Sequence, residues 1–404
     1  MDTSQVAVVG GGQAGLATSY WLTSHHLDHV IFDRGRTGDS WRHRWESFCL
    51  VTPNWSLNLP GFPYDGGEPD GFLPRDAIVD YLERYRRSFD PPVRDGVEVI
   101  SVSRTDGRWR LETDAGPWEA EHVVIATGAF PVPSIPRASE GLDHRIAQLH
   151  SHDYLRPEDL ADGAVLVVGS AQSGCQIVDD LRLAGREVWL AVSKAGRAPR
   201  RYRGKDTVLW LREMGFFSQR IDEPPLDPSA RFAANPHVSG RDGGKDLNLR
   251  AFGRDGVHLV GRLLVGEGTT ATFADDLLER LEGADEASRE MEKAIDEFIA
   301  SSSIKAPPDE REPIDWTPEA IAERVDLVEE GISTIIWATG YHLDFSRIDA
   351  PVFGERDYPV QHRGITEMPG LYVIGLAGLY TVASSLFWGV GQDAEHIVRH
   401  ITGG

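Results

Sequence analysis

Two short glycine-containing segments hold the residues best suited to chemistry in this sequence. The first runs from Gly10 to Gly15 with the spacing G-x-G-x-x-G, after the apolar run Val6–Val9. Asp33 ends a second apolar run, 23 residues after Gly10. In such a unit the glycines admit a pyrophosphate at a helix start, and the acid binds a ribose hydroxyl. The segment therefore predicts a dinucleotide-binding βαβ unit; the alternative is a glycine-rich turn in an ordinary α/β domain.

The second segment repeats this order further along the chain. An apolar run, Ala164–Val168, leads into Gly169-Ser170-Ala171-Gln172-Ser173-Gly174 and then into a helix-like stretch and another strand-like run. Ala171 stands where the middle glycine is expected, which adds one methyl group at the point of closest phosphate approach. We predict nucleotide binding here as well, because the surrounding strand–turn–helix–strand order is intact.

The second strands of the two units end in residues of different charge. The first stops at Asp33, whereas the second runs into Ser193 and Lys194, with Arg200 and Arg201 close behind. A cationic cluster suits a ribose 2′-phosphate, which an acid would repel. We therefore predict FAD at the first unit and NADPH rather than NADH at the second. A solvated loop is the alternative for the basic cluster.

Each glycine segment is also followed later by a strand-like run that ends in Ala-Thr-Gly. These are Ala126, Thr127 and Gly128 in the first half, and Ala338, Thr339 and Gly340 in the second. Small residues at a strand end allow another group to approach closely. The recurrence indicates an internal repeat on the scale of a domain.

Composition limits the class of protein. The chain has 404 residues, a formal net charge of −22 and two cysteines, Cys49 and Cys175. The length favours two domains. The acidity argues against nucleic acid or an anionic membrane as a main partner. Two distant cysteines and no recognisable signal peptide favour a reducing, cytoplasmic location.

The sequence pattern also argues against a membrane span and against a metal site. No charged residue occurs between Gly370 and Gln392, but glycines and hydroxyl residues interrupt this stretch. We interpret it as a buried strand followed by a loop and a helix, not as a membrane span. The histidine clusters lack a completing cysteine or carboxylate, so we predict no metal site.

With these residues in view, the chain resembles the flavin-containing monooxygenase family in its small bacterial form, of the kind loosely linked to potassium transport. The resemblance covers nearly the whole length. Its carriers are GGGQAGLA with Asp33, Gly38–Trp41, VTPNWSLNLPGFPY, Ala126–Gly128, VLVVGSAQSGCQI, ISTIIWATGY, and PGLYVIGLAGLY with GVGQDAEHI.

The resemblance implies an α/β fold with two Rossmann-like dinucleotide-binding domains in a glutathione-reductase-like arrangement. The NADPH domain is then inserted in the FAD domain. We expect residues 1–155 and 346–404 to bind FAD, and residues 156–345 to bind NADPH. The expected partners are O₂ and a small-molecule substrate, and a homodimer is left open.

The predicted site residues fall into two groups. Asn54 and His150 are the catalytic candidates; for His150 the alternative is a satisfied histidine between domains. The predicted FAD contacts are Gly10, Gly12, Gln13, Ala14, Gly15, Asp33, Arg34, Ser40, Trp41, Thr52, Val99, Ala126, Thr127, Gly128 and Gly375. The predicted NADPH contacts are Gly169, Ser170, Ala171, Gln172, Ser173, Ser193, Lys194, Arg200, Arg201, Ala338, Thr339 and Gly340.

One departure from the family leaves the reaction open. The family's monooxygenase fingerprint has Phe, Gly, His and a final aromatic residue at fixed spacing; here only His150 and Tyr154 match, with His144 and Ile146 in the other two places. We expect NADPH to reduce the flavin and O₂ to supply an oxygen atom to nitrogen or sulfur. An NADPH-dependent flavin reductase or oxidase, and a non-enzymatic FAD redox sensor, are the alternatives.

Overall fold

The computed structural model describes residues 2–403, and its largest element is a nine-stranded mixed sheet. Seven strands follow in the order Gln361–His362, Ile365–Thr366, Leu371–Val373, Gly116–Ile125, Asp2–Val9, His29–Asp33 and Val93–Asp95. The strands Val99–Thr105 and Arg108–Thr113 extend it as an antiparallel hairpin on Gly116–Ile125.

The strand Asp2–Val9 lies in the middle of this sheet for a reason that its sequence shows. It pairs in parallel with His29–Asp33 on one side and with Gly116–Ile125 on the other. Parallel strands are covered by helices on both faces and therefore favour continuous apolar runs. Val6, Ala7 and Val8 are accordingly inaccessible to solvent.

A second sheet has five parallel strands. Their order is Ala147–His150, Ile332–Trp337, Ala164–Val168, Val188–Ala191 and His258–Val260. Val165 lies opposite Val188 as Val6 lies opposite His29, so the two βαβ units share one register. The predicted fold class, with two Rossmann-like units, is confirmed. The strand Ala147–His150 precedes the predicted domain boundary at residue 155, and the boundaries themselves stay a prediction.

In the part of the chain that the structure describes, eight α-helices cover the sheets and the regions between them. They are Gln13–Ser24, Asp39–Arg42, Arg75–Phe89, Gln172–Leu183, Thr207–Glu213, Leu249–Arg254, Leu277–Ser302 and Phe387–Ile401. The uncharged stretch from residue 370 to 392 forms the strand Leu371–Val373, a loop and the start of the last helix. Within residues 2–403, no helix combines the length and the apolar character needed to cross a membrane.

Short elements complete the chain. A three-stranded antiparallel sheet contains Leu263–Glu267, Thr270–Phe273 and Arg324–Asp326. Two-stranded ribbons pair Asn58–Leu59 with Phe62–Pro63, Val132–Pro133 with Tyr341–His342, Arg201–Tyr202 with Lys205–Asp206, and Val238–Ser239 with Lys245–Asp246. Single 3₁₀ turns occur at Asn54–Ser56, Arg137–Ser139, Pro157–Asp159, Phe216–Ser218, Pro228–Phe232, Arg241–Gly243 and Glu355–Asp357.

The two large sheets are joined at more than the covalent crossovers. The crossovers themselves pair with each other through Val132–Pro133 and Tyr341–His342. At a separate place, residues 217–221 run beside residues 380–383: the Ala383 N–H donates to the Phe217 carbonyl at 3.1 Å, and the Ile221 N–H donates to the Tyr380 carbonyl at 3.0 Å. These backbone bonds connect residues 217–221, which follow the second βαβ unit, to residues 380–383, which precede the last helix of the chain.

Candidate functional site

The first glycine turn is closed on two sides and open on the third. Gly10 has a φ of +108°, and a Cβ built there would lie 2.3 Å from the carbonyl oxygen of Ala126. A Cβ on Gly15 would lie 1.9 Å from the Gly10 carbonyl oxygen. A Cβ on Gly12 would meet nothing within 4 Å. The turn is therefore packed against its own sheet and helix, and only its Gly12 face is free.

The helix that follows this turn begins at Gln13, and no side chain caps its first amide groups. Such unpaired amide groups and the helix dipole favour a bound anion. The Gln13 side chain donates to the carbonyl of Ser385 at 2.7 Å, which ties the helix start to the last segment of the chain. Gly375 also lies against the helix start, since a Cβ built there would lie 2.7 Å from that of Ala14.

Asp33 lies beside the same turn. One carboxylate oxygen accepts from the Gly11 N–H at 2.7 Å, and the other accepts from the Gly35 N–H at 2.8 Å. These bonds hold the carboxylate at the carboxyl end of the strand, where ligands of open α/β sheets bind. Arg34 follows it and is exposed.

The second turn reproduces this geometry. Gly169 has a φ of +108°, and its Cβ would lie 2.5 Å from the Ala338 carbonyl oxygen. A Cβ on Gly174 would lie 1.8 Å from the Gly169 carbonyl oxygen. Ala171 has a φ of −72° and a ψ of −175°, and Gly12 has −77° and −168°. The alanine therefore fits the backbone of the turn without strain, and the helix again begins directly after it, at Gln172 and Ser173.

The partner of the second turn differs from Asp33. The Ser170 N–H donates to the Ser193 hydroxyl at 3.1 Å, and the Ser193 N–H donates to the Ser170 hydroxyl at 2.9 Å. A neutral side chain thus occupies the place beside the turn that a carboxylate has in the first unit. Lys194 comes next in the chain and is exposed.

Each of the two Ala-Thr-Gly segments lies against a glycine turn, and their contacts with the cofactors stay a prediction. Ala126 and Ala338 contact Gly10 and Gly169 through their carbonyl groups. Both segments leave their sheets directly afterwards. Thr127 is exposed, whereas the Thr339 hydroxyl donates to the Ser134 carbonyl and so connects the two crossovers. Gly128 and Gly340 have φ values of +84° and +85°, which glycine adopts without strain.

The remaining predicted FAD contacts are not all brought to the first turn. The Trp41 ring stacks on Phe387 with centroids 5.6 Å apart, and Ser40 is exposed in the same short helix. Thr52 bonds to the Ser56 hydroxyl at 2.7 Å. Val99 is buried in a hydrophobic cluster that also contains Phe32 and Trp109. Packing gives a sufficient account of Val99.

Asn54 has its side chain committed to the surrounding loop. Its Nδ2 donates to the Glu68 carbonyl at 2.9 Å, and its Oδ1 accepts from the Leu73 N–H at 2.7 Å. It is 1% exposed. Both polar atoms of the amide are thus bonded to the backbone of residues 68–73, so the geometry supports a structural role for it.

His150 is held in a similar way. Its Nε2 donates to the Gly340 carbonyl at 3.0 Å, and its Nδ1 accepts from the His152 N–H at 3.1 Å. Burial lowers the pKa of His150 below its ordinary value, so the neutral form is favoured. Both ring nitrogens are therefore occupied, as in a satisfied histidine between domains, and neither is free to move a proton.

Arg200 is buried and is not part of the exposed basic cluster. It is 2% exposed, its Nε donates to Asp206 at 2.7 Å, and its Nη1 donates to the Val51 carbonyl at 2.8 Å. Its guanidinium thus connects the second unit to the Val51 segment. Arg201 is exposed and donates to the carbonyls of Gly243 and Gly244. Of the predicted basic contacts, Lys194 and Arg201 are those that solvent reaches.

The family fingerprint matched Tyr154, but no sequence pattern indicated its contacts. Tyr154 donates to the Asp180 carboxylate at 2.8 Å, Arg241 donates to the same carboxylate at 2.7 Å, and burial raises the pKa of the Tyr154 hydroxyl. Arg44, three residues after Trp41, is a residue that no spacing indicated. Within residues 2–403, no group of three or more His, Cys, Asp and Glu side chains is placed to hold a metal ion.

The geometry of the first turn fits a dinucleotide. A methyl group at Gly12 would fill the one open face, where the diphosphate needs close access to the backbone. The helix start supplies unpaired amide groups, and Asp33 supplies an acceptor for a ribose hydroxyl. The second turn has the same shape, with one methyl group more and without the carboxylate.

Comparisons with known proteins agree with this geometry. Residues 7–221 match the family described as pyridine nucleotide-disulphide oxidoreductase. A CzcO-like oxidoreductase of Geobacillus kaustophilus, whose function is uncharacterised, is 32% identical over 98% of this chain and 97% of its own length. Senecionine N-oxygenase of Tyria jacobaeae is 26% identical over 45% of each chain.

A solved structure gives the same fold over the full length. The flavin-containing monooxygenase from Stenotrophomonas maltophilia superposes with a TM-score of 0.68 over 100% of this chain and 99% of its own, at 21% identity. The chain therefore belongs to the pyridine nucleotide-disulphide oxidoreductase family and, within it, to the CzcO-like oxidoreductases.

Proposed function

We propose that the protein is an NADPH-dependent FAD monooxygenase that transfers an oxygen atom from O₂ to nitrogen or sulfur of a small molecule. FAD binds at the first glycine turn and NADPH at the second. The family match and the fold shared with a flavin-containing monooxygenase support a flavin-dependent oxidoreductase of the monooxygenase group. The pairing of cofactors with turns and the choice of substrate atom are the proposal.

The observation that carries it is the difference between the two turns. A carboxylate lies 2.7 Å from the Gly11 N–H, and the Ser193 hydroxyl lies 3.1 Å from the Ser170 N–H. A carboxylate accepts from a free ribose hydroxyl but repels a 2′-phosphate, whereas a neutral hydroxyl followed by Lys194 accommodates one. The nucleotide without a 2′-phosphate therefore belongs at the first turn, and NADPH at the second.

Bound FAD supplies the redox and oxygen chemistry in this family. The residues of this chain position it and exclude water. Gly10, Gly12 and Gly15 shape the diphosphate cradle, and Asp33 accepts from the ribose. Trp41 and Phe387 stack on each other directly beside the segment that the Gln13 side chain holds, so they form a rigid apolar wall.

Asn54 and His150 are given no proton-transfer step in this proposal, because their polar atoms are already bonded to backbone groups. Their contribution is to hold two segments in place. Asn54 fixes residues 68–73, and His150 fixes the exit of the second Ala-Thr-Gly segment at Gly340.

The cofactor assignment is tested with the double variant Lys194→Ala/Arg201→Ala. We expect KM for NADPH to rise about 5- to 30-fold, from about 0.5–1 kcal/mol for each exposed ionic contact, and KM for NADH to stay within about twofold. Arg104→Ala, which removes one exposed arginine of the first sheet, is the control for losing an exposed positive charge away from the second unit. Equal changes for both cofactors contradict the 2′-phosphate assignment.

Oxygen transfer is tested by coupling. Amines, oximes and thiols are screened for substrate-dependent NADPH consumption while H₂O₂ is measured in the same sample. A substrate that raises consumption without raising H₂O₂ supports monooxygenation. Stoichiometric H₂O₂ with every compound, together with fast NADPH oxidation, identifies a flavin reductase or oxidase instead. NADPH oxidation far below ordinary enzyme rates identifies a redox sensor.

A further inference from the structure

Arg44 is a partly buried cation without an anionic partner. Within residues 2–403 its guanidinium makes no ion pair and no hydrogen bond. It lies over two aromatic rings, 5.9 Å from the Phe48 centroid and 5.7 Å from that of Phe130. A guanidinium has five N–H donors, and none of the Arg44 nitrogens is among the fully buried polar atoms that lack a partner. The guanidinium is thus held by ring packing, and its N–H groups remain accessible to an acceptor.

Its neighbours in the described part of the chain include two imidazoles and no carboxylate that pairs with it. The rings of His43 and His152 have centroids 5.7 Å apart. Burial lowers the pKa of His152, as do the nearby His43, Arg44 and Arg34, whereas Asp153 raises it. Burial lowers the pKa of Arg44, and the only titratable group that opposes this is the Tyr341 hydroxyl, which is no carboxylate. In a chain with a formal net charge of −22, an accessible guanidinium without an acidic partner indicates a site for an anion.

The position of Arg44, His43 and His152 indicates which kind of anion binds there. Phe130 comes two residues after Gly128, and Tyr341 comes directly after Gly340, so each ring marks the exit of an Ala-Thr-Gly segment. The two rings contact each other with centroids 5.3 Å apart. Because those exits lie at the carboxyl ends of parallel strands, the cluster is at the same edges of the sheets as the two glycine turns.

We propose that Arg44, with His43 and His152 beside it, is the cationic contact for a phosphate group of a dinucleotide that lies between the two units. The phosphate belongs either to the FAD diphosphate or to NADPH, and the planar guanidinium suits both because it binds phosphate oxygens in pairs. This inference rests on the proposed function, since it needs the full chain to bind both nucleotides.

The test compares Arg44→Gln, which keeps a similar stem and removes the charge, with Arg44→Lys, which keeps the charge. Arg104→Gln is the matched control, because Arg104 is also an arginine over an aromatic ring, 5.9 Å from the Trp109 centroid. One arm titrates the full-length apoprotein with FAD, and the other titrates the FAD-loaded oxidised protein with NADP⁺. Melting of the nucleotide-free protein is the third measurement.

We expect Arg44→Gln to raise the Kd for one of the two nucleotides at least tenfold. Arg44→Lys should recover most of this loss of affinity, and the control Arg104→Gln should keep both Kd values within twofold of the wild type. The arm that weakens identifies the source of the phosphate. Nucleotide-free Arg44→Gln should melt no lower than the wild type, because it removes an unpaired charge. Unchanged Kd values for both nucleotides overturn the inference. A wild type that binds neither nucleotide refutes the proposed function itself, and this result is distinct from unchanged binding by the variant.

Discussion

The two faces of the first glycine turn predict opposite effects for two substitutions three residues apart. At Gly12 the backbone is extended and a Cβ meets nothing within 4 Å, whereas at Gly15 a Cβ would lie 1.9 Å from the Gly10 carbonyl oxygen. The molecule also contains its own control. Ala171 occupies the place equivalent to Gly12 with nearly the same φ and ψ.

The magnitudes follow from these distances. Gly12→Ala should leave the nucleotide-free protein as stable as the wild type or about 0.4–1 kcal/mol more stable, because alanine fits the backbone and restricts the unfolded chain. Gly15→Ala should cost about 1–3 kcal/mol, because Gly10 is itself packed against Ala126 and cannot yield. Bound FAD meets the new methyl group of Gly12→Ala, so the same 1–3 kcal/mol should weaken FAD binding about 5- to 150-fold.

Two measurements separate these effects. Urea unfolding of the apoprotein, followed by tryptophan fluorescence, gives the free energy of unfolding, and the chain offers 11 tryptophans as probes. Titration of the apoprotein with FAD gives Kd. Gly174→Ala is the matched variant in the second unit and should be destabilised as Gly15→Ala is. Unaltered FAD affinity in Gly12→Ala, or a Gly15→Ala variant as stable as the wild type, would refute this reading of the turn.

Two further predictions concern the stability of the fold. Arg200→Ala should lower the free energy of unfolding by about 3–5 kcal/mol, because it leaves the Asp206 carboxylate unpaired, whereas the exposed neighbour Arg201→Ala should change it by less than about 0.5 kcal/mol; equal urea midpoints would contradict this. Burial lowers the pKa values of His150 and His237 below 6.5, so the unfolded chain takes up protons first and stability should fall as the pH drops below about 6.5. Urea midpoints from pH 8 to 5 measure this fall, and a flat profile would show that these histidines do not govern it.

The repeated βαβ unit could be predicted from the sequence because its signals are local. Glycine spacing, an apolar strand before it and the residue at the end of the second strand all lie within about 25 residues of each other. The recurrence of Ala-Thr-Gly was visible in the same way, but the contact of each segment with a glycine turn became apparent only in the folded chain.

The roles of Arg200, Asn54 and His150 depend on contacts that no local pattern contains. Arg200 donates to Val51, which is 149 residues away in sequence, and His150 donates to Gly340, which is 190 residues away. Asn54 is bonded by the carbonyl and amide groups of a loop that has no periodicity. Residue type indicated chemistry at these positions, but burial and backbone partners decide what each side chain does.

The backbone pairing of residues 217–221 with residues 380–383 also limits how the enzyme can move during turnover. The crossovers tie the two units together at one place, this pairing ties them at a second, and Arg200 ties them at a third through Val51. Swinging one unit away from the other about the crossovers would break several backbone hydrogen bonds and expose a buried guanidinium. These contacts therefore favour small displacements of loops and side chains over a hinge motion between the two units.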